Sequence, residues 1–211
     1  MDELSSNWTQ IGGGLIFGDS GSDLTEIEQL KTNVIRKFYV GGMNFSAELK
    51  EDISDMFSDL FVASPVVRTV EYHSVNQEAP VYLYILSHKP SISRSSTLPS
   101  GDVDLGVVSG DDNGLIFNGA NGIDGDILQT EEDLDTAEIF VKVVANFVKY
   151  VDPTPFLDVT NWRAVTPAAL SYMDMKAEPE MKDMAISERR YFWQKIYWDD
   201  VEADLKPAIA I

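Results

Sequence analysis

Apolar residues recur every three or four positions in several stretches of the chain, which is the spacing of amphipathic helices. Five segments follow this spacing: 25–38, 46–61, 65–76, 137–150 and 187–197. Pro65 fits the first turn of the third of these helices, because proline lacks the N–H group that a first turn leaves unpaired. The chain is therefore predicted to be rich in helix.

Other stretches depart from the helical pattern. Residues 80–86 are apolar or aromatic at every position after the initial proline, which predicts a strand buried on both faces within a sheet. The glycine-rich residues 11–23 predict a loop with one short strand. Residues 87–135 are rich in Ser, Gly, Asp and Asn and predict a long loop, a feature that is often functional in compact domains. A strand among helices favours an α/β architecture.

Length and charge narrow the classes of protein that remain. The 211 residues, 44% of them apolar, indicate one globular domain or part of one. The net charge of −19 opposes binding to nucleic acid and to anionic membrane surfaces. No stretch approaches the roughly 18 uninterrupted apolar residues of a membrane span, and the first residues lack the regions of a signal peptide. The absence of cysteine excludes disulfides and a cysteine nucleophile.

Much of the negative charge lies in one segment. No Lys or Arg occurs between Arg94 and Lys142. This interval contains eleven acidic residues: Asp102, Asp104, Asp111, Asp112, Asp124, Asp126, Glu131, Glu132, Asp133, Asp135 and Glu138. We interpret the segment as a solvated loop that leads into an acidic helix N-terminus, where the helix dipole favours carboxylates. An acidic surface for a protein partner is the alternative.

Few residues are candidates for catalysis. No GxSxG, GxxxxGK[ST] or GxGxxG motif is present, and Ser20 is interpreted as a turn residue. The two histidines are His73 and His88. Oxygen ligands are frequent at 111–113 and 118–126, but they lack the spacing of a calcium loop, so neither a metal nor a cofactor is expected.

The order of several short blocks resembles the C-terminal portion of the type-B carboxylesterases, a family of α/β-hydrolases that includes insect esterases, juvenile hormone esterases and cholinesterases. The blocks are collinear with the family over most of the chain. They include Ile35–Tyr39 before Gly41-Gly42, Ala79–Tyr84, Gly106–Asp112 before Leu115–Phe117, Asn146–Pro155, Trp162 and Phe192–Tyr197. The resemblance implies that residues 1–211 are the C-terminal portion of such a domain. The fold class expected is α/β, an incomplete central sheet flanked by helices.

The family's members hydrolyse carboxylic esters with a Ser, Glu or Asp, and His triad. The resemblance aligns Gly106–Asp112 with the loop of the catalytic histidine, and Ser109 occupies the histidine's position. The family's nucleophile elbow and acidic triad residue lie in a portion that this sequence does not match. No intact catalytic residue is therefore expected. His88 is expected to be structural or at a rim, His73 to pack or face solvent, and Asp112 to cap or brace the loop.

Two functions from different classes follow. The first is a fragment or truncated carboxylesterase-family protein that is inactive alone and acts on an ester only as part of a complete family protein. The second is a non-catalytic, esterase-like adhesion or interaction protein. The sequons at Asn7 and Asn44 are possible N-glycosylation sites. Together with the resemblance they favour secretion of a full-length parent, although this sequence does not indicate its own localisation.

Overall fold

A computed structural model describes residues 1–18, 24–97, 105–117, 128, 130–185 and 187–197. The helices and strands of these ranges follow in the order α1 (Asp2–Ser6), α2 (Trp8–Phe17), α3 (Glu26–Val40), α4 (Lys50–Ser58), α5 (Ser64–Asn76), β1 (Tyr84–Leu86), α6 (Asp111–Ile116), α7 (Glu131–Tyr150), β2 (Ser171–Met175), β3 (Glu180–Asp183) and α8 (Glu188–Tyr197). Shorter 3₁₀ turns occupy Ala47–Leu49 and Arg94–Thr97, and a π-helical turn, Asp59–Ala63, joins α4 to α5.

The chain divides into two compact units. One contains Met1–Thr69 and α8, and the other contains Val70–Ala185. The five predicted helices are confirmed, because each corresponds to α3, α4, α5, α7 or α8. None of the described helices combines the length and the apolar character that crossing a membrane requires.

Local capping explains where the helices of the first unit begin and end. Thr25 and Glu28 form a reciprocal capping box at the start of α3, with the Thr25 N–H donating to Glu28 Oε2 at 2.7 Å. The helix ends at Gly41 in the left-handed conformation, with φ +63°, which glycine adopts without steric strain. The apolar faces of these helices surround a core that includes Trp8, Ile35, Val40, Met56 and Trp193.

The prediction of a loop and short strand at 11–23 is wrong for its first part, because residues 11–17 belong to α2. Two glycines of this helix lie against other side chains. A Cβ atom at Gly12 would lie 2.8 Å from the Trp8 ring, and one at Gly13 would lie 2.2 Å from Leu24 Cδ1. Close packing therefore explains glycines that the local pattern assigned to a loop. Residues 19–23 lie outside the described part of the chain.

The second unit contains a three-stranded sheet in the order β1-β2-β3. β1 and β2 are parallel, with Tyr84 opposite Met173, and β2 and β3 are antiparallel, with Tyr172 opposite Lys182. α7 contributes Phe140 to the core beneath the sheet. Thr130 caps this helix together with Asp133. The predicted acidic helix N-terminus is thus confirmed.

The strand predicted for 80–86 is shorter and more exposed than expected. Only Tyr84–Leu86 forms a strand, and the side chains of Tyr84 and Ile85 are 37% and 41% exposed. The reason is that β1 lies at an edge of the described sheet, with β2 on one side only. The prediction of burial on both faces is therefore wrong for these residues.

Candidate functional site

The loop over 105–111 contains the position that the resemblance aligns with a catalytic histidine. Asp111, whose side chain is fully buried, holds this loop in place. Its Oδ1 accepts from the Arg94 N–H at 2.7 Å, its Oδ2 accepts from the Val108 N–H at 3.0 Å, and both oxygens accept from Ser93 Oγ. One carboxylate therefore connects two loop segments at the start of α6.

Asp112 connects the helix that follows the loop to the sheet. Its Oδ2 accepts from the Tyr84 hydroxyl at 2.8 Å, which connects α6 to β1. Burial and this hydrogen bond to a carboxylate both raise the pKa of Tyr84. The loop itself is braced by Asp111, and Asp112 ties the following helix to the sheet.

Ser109 is exposed at the tip of this loop. Its carbonyl oxygen accepts from Arg94 Nη1 at 3.4 Å, and no described residue is hydrogen-bonded to its hydroxyl. Gly110 follows with φ +96°, and a Cβ there would lie 2.6 Å from Arg94 Nη1. The conformation at 109–111 thus depends on Gly110 and Asp111, while the Ser109 hydroxyl has no hydrogen bond to any residue that the structure describes.

His88 is buried at the N-terminus of α7. Its Nε2 lies 2.7 Å from Asp133 Oδ1, and its Nδ1 lies 3.6 Å from Glu132 Oε1. Asp133 also accepts from Ser91, through the backbone N–H at 3.1 Å and through Oγ, and from the Thr130 N–H at 3.1 Å. The Nε2 of His88 is therefore engaged in an interaction between a loop and a helix, as expected for a structural histidine.

Burial raises the pKa of Asp133, but the hydrogen bonds from Ser91, His88 and Thr130 have the larger combined effect. The pKa of this carboxyl is therefore held well below its ordinary value. A carboxylate that stays ionised is a constant acceptor for the groups around it. The geometry makes Asp133 an anchor for the segment 88–91.

His73 lies exposed on α5. Its Nδ1 is 3.0 Å from Gln77 Oε1 one turn later, and its ring meets Tyr72 edge to face. Both partners are near neighbours along the chain, one on α5 and one just after its end. The side chain is exposed to solvent, which is one of the two alternatives that the sequence left open.

An open cleft of about 630 Å³ lies between the start of α7 and the β2–β3 turn. Its lining is mainly acidic and consists of Thr130, Glu131, Glu132, Asp135, Lys176, Ala177 and Glu178. Lys176 pairs with Glu180 at 3.1 Å. Among the described residues, no three His, Asp or Glu side chains are arranged to hold a metal ion. Residues 118–126, the other stretch weighed as a cation site, lie outside the described part of the chain.

The two sequons lie in different surroundings. Asn44 is exposed in the loop after α3, and its Oδ1 accepts from Arg36 Nη2 at 3.1 Å. Asn7 is exposed where α1 meets α2, and its carbonyl accepts from the Ile11 N–H within the helix. Thr9 of that sequon donates its hydroxyl hydrogen to Asn33 Oδ1 at 3.1 Å. The Asn44 sequon thus lies in a loop. The Asn7 sequon begins at the residue between α1 and α2 and continues into α2.

Sequence reasoning missed the residues that hold these segments together, namely Ser91, Ser93, Arg94, Asp111 and Asp133. The Thr130-x-x-Asp133 spacing is a capping-box signal that could have identified one of them. The contacts of Ser93 and Asp111 join residues 18 positions apart. No local pattern signals a pairing of that kind.

Comparison with known proteins shows which families and folds this chain resembles. The pattern of the carboxylesterase family matches residues 19–193. Esterase-5A of Drosophila persimilis is 30% identical over 118 residues, which are 55% of this chain and 21% of that protein. Esterase P of Drosophila melanogaster is 29% identical over 123 residues, 57% of this chain and 22% of that protein. Carboxylesterase 5A of Mus musculus is 26% identical over 124 residues, 57% of this chain and 20% of that protein.

The fold is shared with a solved esterase. The crystal structure of juvenile hormone esterase from Manduca sexta, with OTFP covalently attached, superposes with a TM-score of 0.69 at 18% identity. The match covers 93% of this chain and 37% of that chain. The expected fold class, part of an α/β-hydrolase fold, is confirmed, and the chain spans about a fifth of the length of the three esterases compared by sequence. Because the family pattern extends over residues 19–193, the chain belongs to the carboxylesterase family.

Proposed function

We propose that residues 1–211 form the C-terminal portion of a type-B carboxylesterase domain and that this chain alone does not hydrolyse esters. The observation that carries the proposal is Ser109, exposed at the tip of the loop that resembles the family's catalytic-histidine loop. Acyl transfer by a serine esterase requires a base that takes the serine proton and returns it to the leaving alcohol. A serine hydroxyl cannot do this near neutral pH. An ester is a substrate only for a complete family protein.

The other histidines do not supply the missing base. The Nε2 of His88 lies 2.7 Å from the carboxylate of Asp133 within a buried network. His73 is exposed and interacts with Tyr72 and Gln77, which are near neighbours along the chain. The 211 residues also contain no GxSxG motif to present a nucleophile. These features support a chain without a working triad.

Incubation of the purified chain with a short-chain aryl ester tests the proposal. Release of the phenol is expected at the buffer rate, for the wild type and for Ser109→Ala and His88→Ala alike. Turnover by the wild type that survives Ser109→Ala and is lost in His88→Ala would refute the proposed inactivity. Heat-treated chain is the control for slow reaction at the protein surface.

A second candidate function is that of a non-catalytic, esterase-like interaction protein. The acidic cleft between α7 and the β2–β3 turn favours it, because carboxylates surround the one lysine of its lining. A partner for such a surface would be basic. The sequence of a full-length parent separates the two candidates, since a degenerate nucleophile elbow indicates a binding protein and an intact GxSxG motif indicates an esterase altered at one position.

We also infer that a full-length parent is secreted and carries an N-linked glycan on Asn44. A loop sequon is the accessible kind of acceptor, and Asn44 keeps its Nδ2 group free of described partners while Oδ1 is held by Arg36. Glycosidase treatment of the secreted product is expected to increase its electrophoretic mobility, and Asn44→Gln should abolish this shift.

Asn7→Gln is the matched control for the glycan. It removes the helical sequon and should leave the mobility shift in place. A mobility shift that persists in Asn44→Gln and disappears in Asn7→Gln would place the glycan on Asn7 and refute its assignment to Asn44. Absence of any shift would remove this support for secretion.

A further inference from the structure

Several serines and threonines of this acidic chain are followed, three positions later, by a carboxylate. This spacing is the pattern that acid-directed protein kinases accept, because basic groups of the kinase bind the carboxylate. The residues that fit are Ser20, Thr25, Ser109, Thr130 and Ser171. So short a pattern is frequent by chance, and the surroundings of each hydroxyl decide whether a kinase can reach it. Ser20 lies outside the described part of the chain.

Three of the remaining hydroxyls are engaged in the fold. The Thr25 hydroxyl donates at 2.8 Å to a glutamate oxygen within the capping box of α3. The Thr130 hydroxyl accepts from the Asp133 N–H at 3.1 Å, as the cap of α7. Ser171 is buried in β2 and donates to a carboxylate of β3 at 2.6 Å. A kinase would have to disrupt a helix cap or the sheet to reach these hydroxyls.

Ser109 is the described candidate whose hydroxyl is accessible. The residue is exposed at the tip of the loop before α6, and its hydroxyl has no hydrogen bond to any residue that the structure describes. Asp112, three positions later, is partly exposed in the first turn of α6. Position 109 thus combines an exposed nucleophile with the carboxylate that an acid-directed kinase recognises.

A guanidinium group lies against the same loop. Arg94 Nη1 is 3.4 Å from the Ser109 carbonyl oxygen, and a Cβ at Gly110 would lie 2.6 Å from that nitrogen. A phosphoserine has a charge of about −1.5 to −2 at pH 7. Guanidinium groups bind phosphate through paired, charge-assisted hydrogen bonds. A phosphate on Ser109 would therefore be within reach of a group that stabilises it.

We propose that Ser109 is a phosphorylation site for an acid-directed serine kinase and that Arg94 pairs with the phosphate. The Ser109 oxygen attacks the γ-phosphorus of ATP, the bond from this phosphorus to the β–γ bridging oxygen breaks, and ADP leaves with the electron pair. The hydroxyl proton passes to the catalytic carboxylate of the kinase and then to solvent. The proposal does not depend on whether the chain hydrolyses esters.

Incubation of the purified 211-residue chain with casein kinase 2 and Mg²⁺-ATP tests the proposal. This kinase is the probe because it selects serines with a carboxylate three positions later. The intact mass should increase by one phosphoryl group, and fragmentation of the derived peptides should place the group on Ser109. Ser109→Ala should abolish the incorporation.

Two charge variants test how the site is recognised. Asp112→Asn removes the charge but keeps an oxygen that can accept from the Tyr84 hydroxyl, and it should lower the initial rate of phosphorylation about tenfold. Asp135→Asn makes the same change at an exposed position of the acidic segment and should leave the rate unchanged. Near-UV circular dichroism confirms that both variants remain folded.

A pH titration of the phosphorylated chain by ³¹P NMR tests the pairing with Arg94. The second proton of phosphoserine titrates at about pH 6, and a neighbouring positive charge lowers this pKa because it favours the dianion. The pKa of the phosphate should therefore be lower in the wild type than in Arg94→Gln. The difference should decrease in about 1 M salt, which screens charges at the surface.

Several outcomes would overturn the proposal. They are absence of phosphate on Ser109 of the folded chain, preferential incorporation at Thr25, Thr130 or Ser171, and equal rates for Asp112→Asn and Asp135→Asn. An equal phosphate pKa in the wild type and in Arg94→Gln would refute the pairing with Arg94. Ester turnover is a separate assay, so its result leaves the assignment of Ser109 unaffected.

Discussion

Ser109→His is expected to increase kcat/KM for a short-chain aryl ester by about 1,000-fold or more in a chimera with a working nucleophile. The chimera joins residues 1–211 to the part of Manduca sexta juvenile hormone esterase outside the structural match. Loss of one triad member commonly lowers turnover by three or more orders of magnitude. Restoring the imidazole should recover a large part of that factor, because the serine nucleophile then has a base.

The structure favours recovery because the loop does not depend on the Ser109 side chain. Asp111 holds the loop through the backbone N–H groups of Arg94 and Val108, at 2.7 and 3.0 Å. The Ser109 side chain is exposed. A histidine introduced at 109 therefore replaces an exposed side chain whose hydroxyl has no hydrogen bond to the residues that the structure describes.

Ser109→Asn in the same chimera is the matched control. Asparagine approximates the size of histidine and can hydrogen-bond, but it cannot accept a proton as a base near neutral pH. It should remain at the activity of the Ser109 chimera. Equal rates for the His and Asn variants would show that position 109 does not place a side chain at the nucleophile.

Asp133→Ala is expected to lower the free energy of unfolding by about 3 to 5 kcal/mol. The substitution removes the acceptor for His88, Ser91 and Thr130 at once, from a hydrogen bond that is buried at His88 and from others that are partly buried at Ser91 and Thr130. A buried donor left without a partner costs about 1 to 3 kcal/mol. The midpoint of urea unfolding, followed by tryptophan fluorescence, measures the change. Trp162 in the core beside α7 is a local reporter.

Asp135→Ala provides the comparison, because Asp135 lies in the same acidic turn and its side chain is exposed. The exposed substitution should change the free energy of unfolding by less than about 0.5 kcal/mol. If both alanine variants unfolded at the same urea concentration, the Asp133 network would make no net contribution to stability.

The depressed pKa of Asp133 also predicts how stability depends on pH. Burial alone would raise this pKa, but the hydrogen bonds from Ser91, His88 and Thr130 lower it below its unfolded value of about 3.9. As pH falls below about 4, the unfolded chain therefore binds the proton first. The contribution of Asp133 is fully present above that pH and is lost progressively below it. Urea titrations at decreasing pH should show a smaller acid-dependent loss for Asp133→Ala than for wild type.

Helices were predictable where their determinants are local. α3 begins at the Thr25 capping box and ends at Gly41, and its apolar face has the period of a helix. Of the three strands, only β1 lies in a stretch that the sequence predicts as a strand, whereas β2 and β3 were not predicted. β2 includes the buried Asp174, and β3 includes Lys182, whose Nζ lies 2.5 Å from Asp174 Oδ2. Polar residues that neutralise one another across a pair of strands weaken the apolar alternation by which a strand is predicted.

The candidate site was likewise predictable only in part. The family resemblance identified Ser109 as a candidate position and predicted that His88 is structural or lies at a rim. The partners of these loops were not predictable, because Asp111 and Asp133 meet them from 17 to 45 positions away. Asp133 and Asp135 look alike in the sequence of the acidic segment, although Asp133 is fully buried and Asp135 is exposed to solvent.

The sequence by itself determined the helical segments, the acidic start of α7, the charge and the serine at position 109, because each depends on residue identity or on spacing within a few turns. Only the tertiary structure decided that residues 11–17 are helical, that β1 lies at an edge of the sheet formed by the described residues, and that Asp111 and Asp133 anchor the loops. These features depend on which separate segments meet. Examples are Leu24 against Gly13, a strand that pairs with one neighbour among the described residues, and buried carboxylates that are stable only where several donors converge on them.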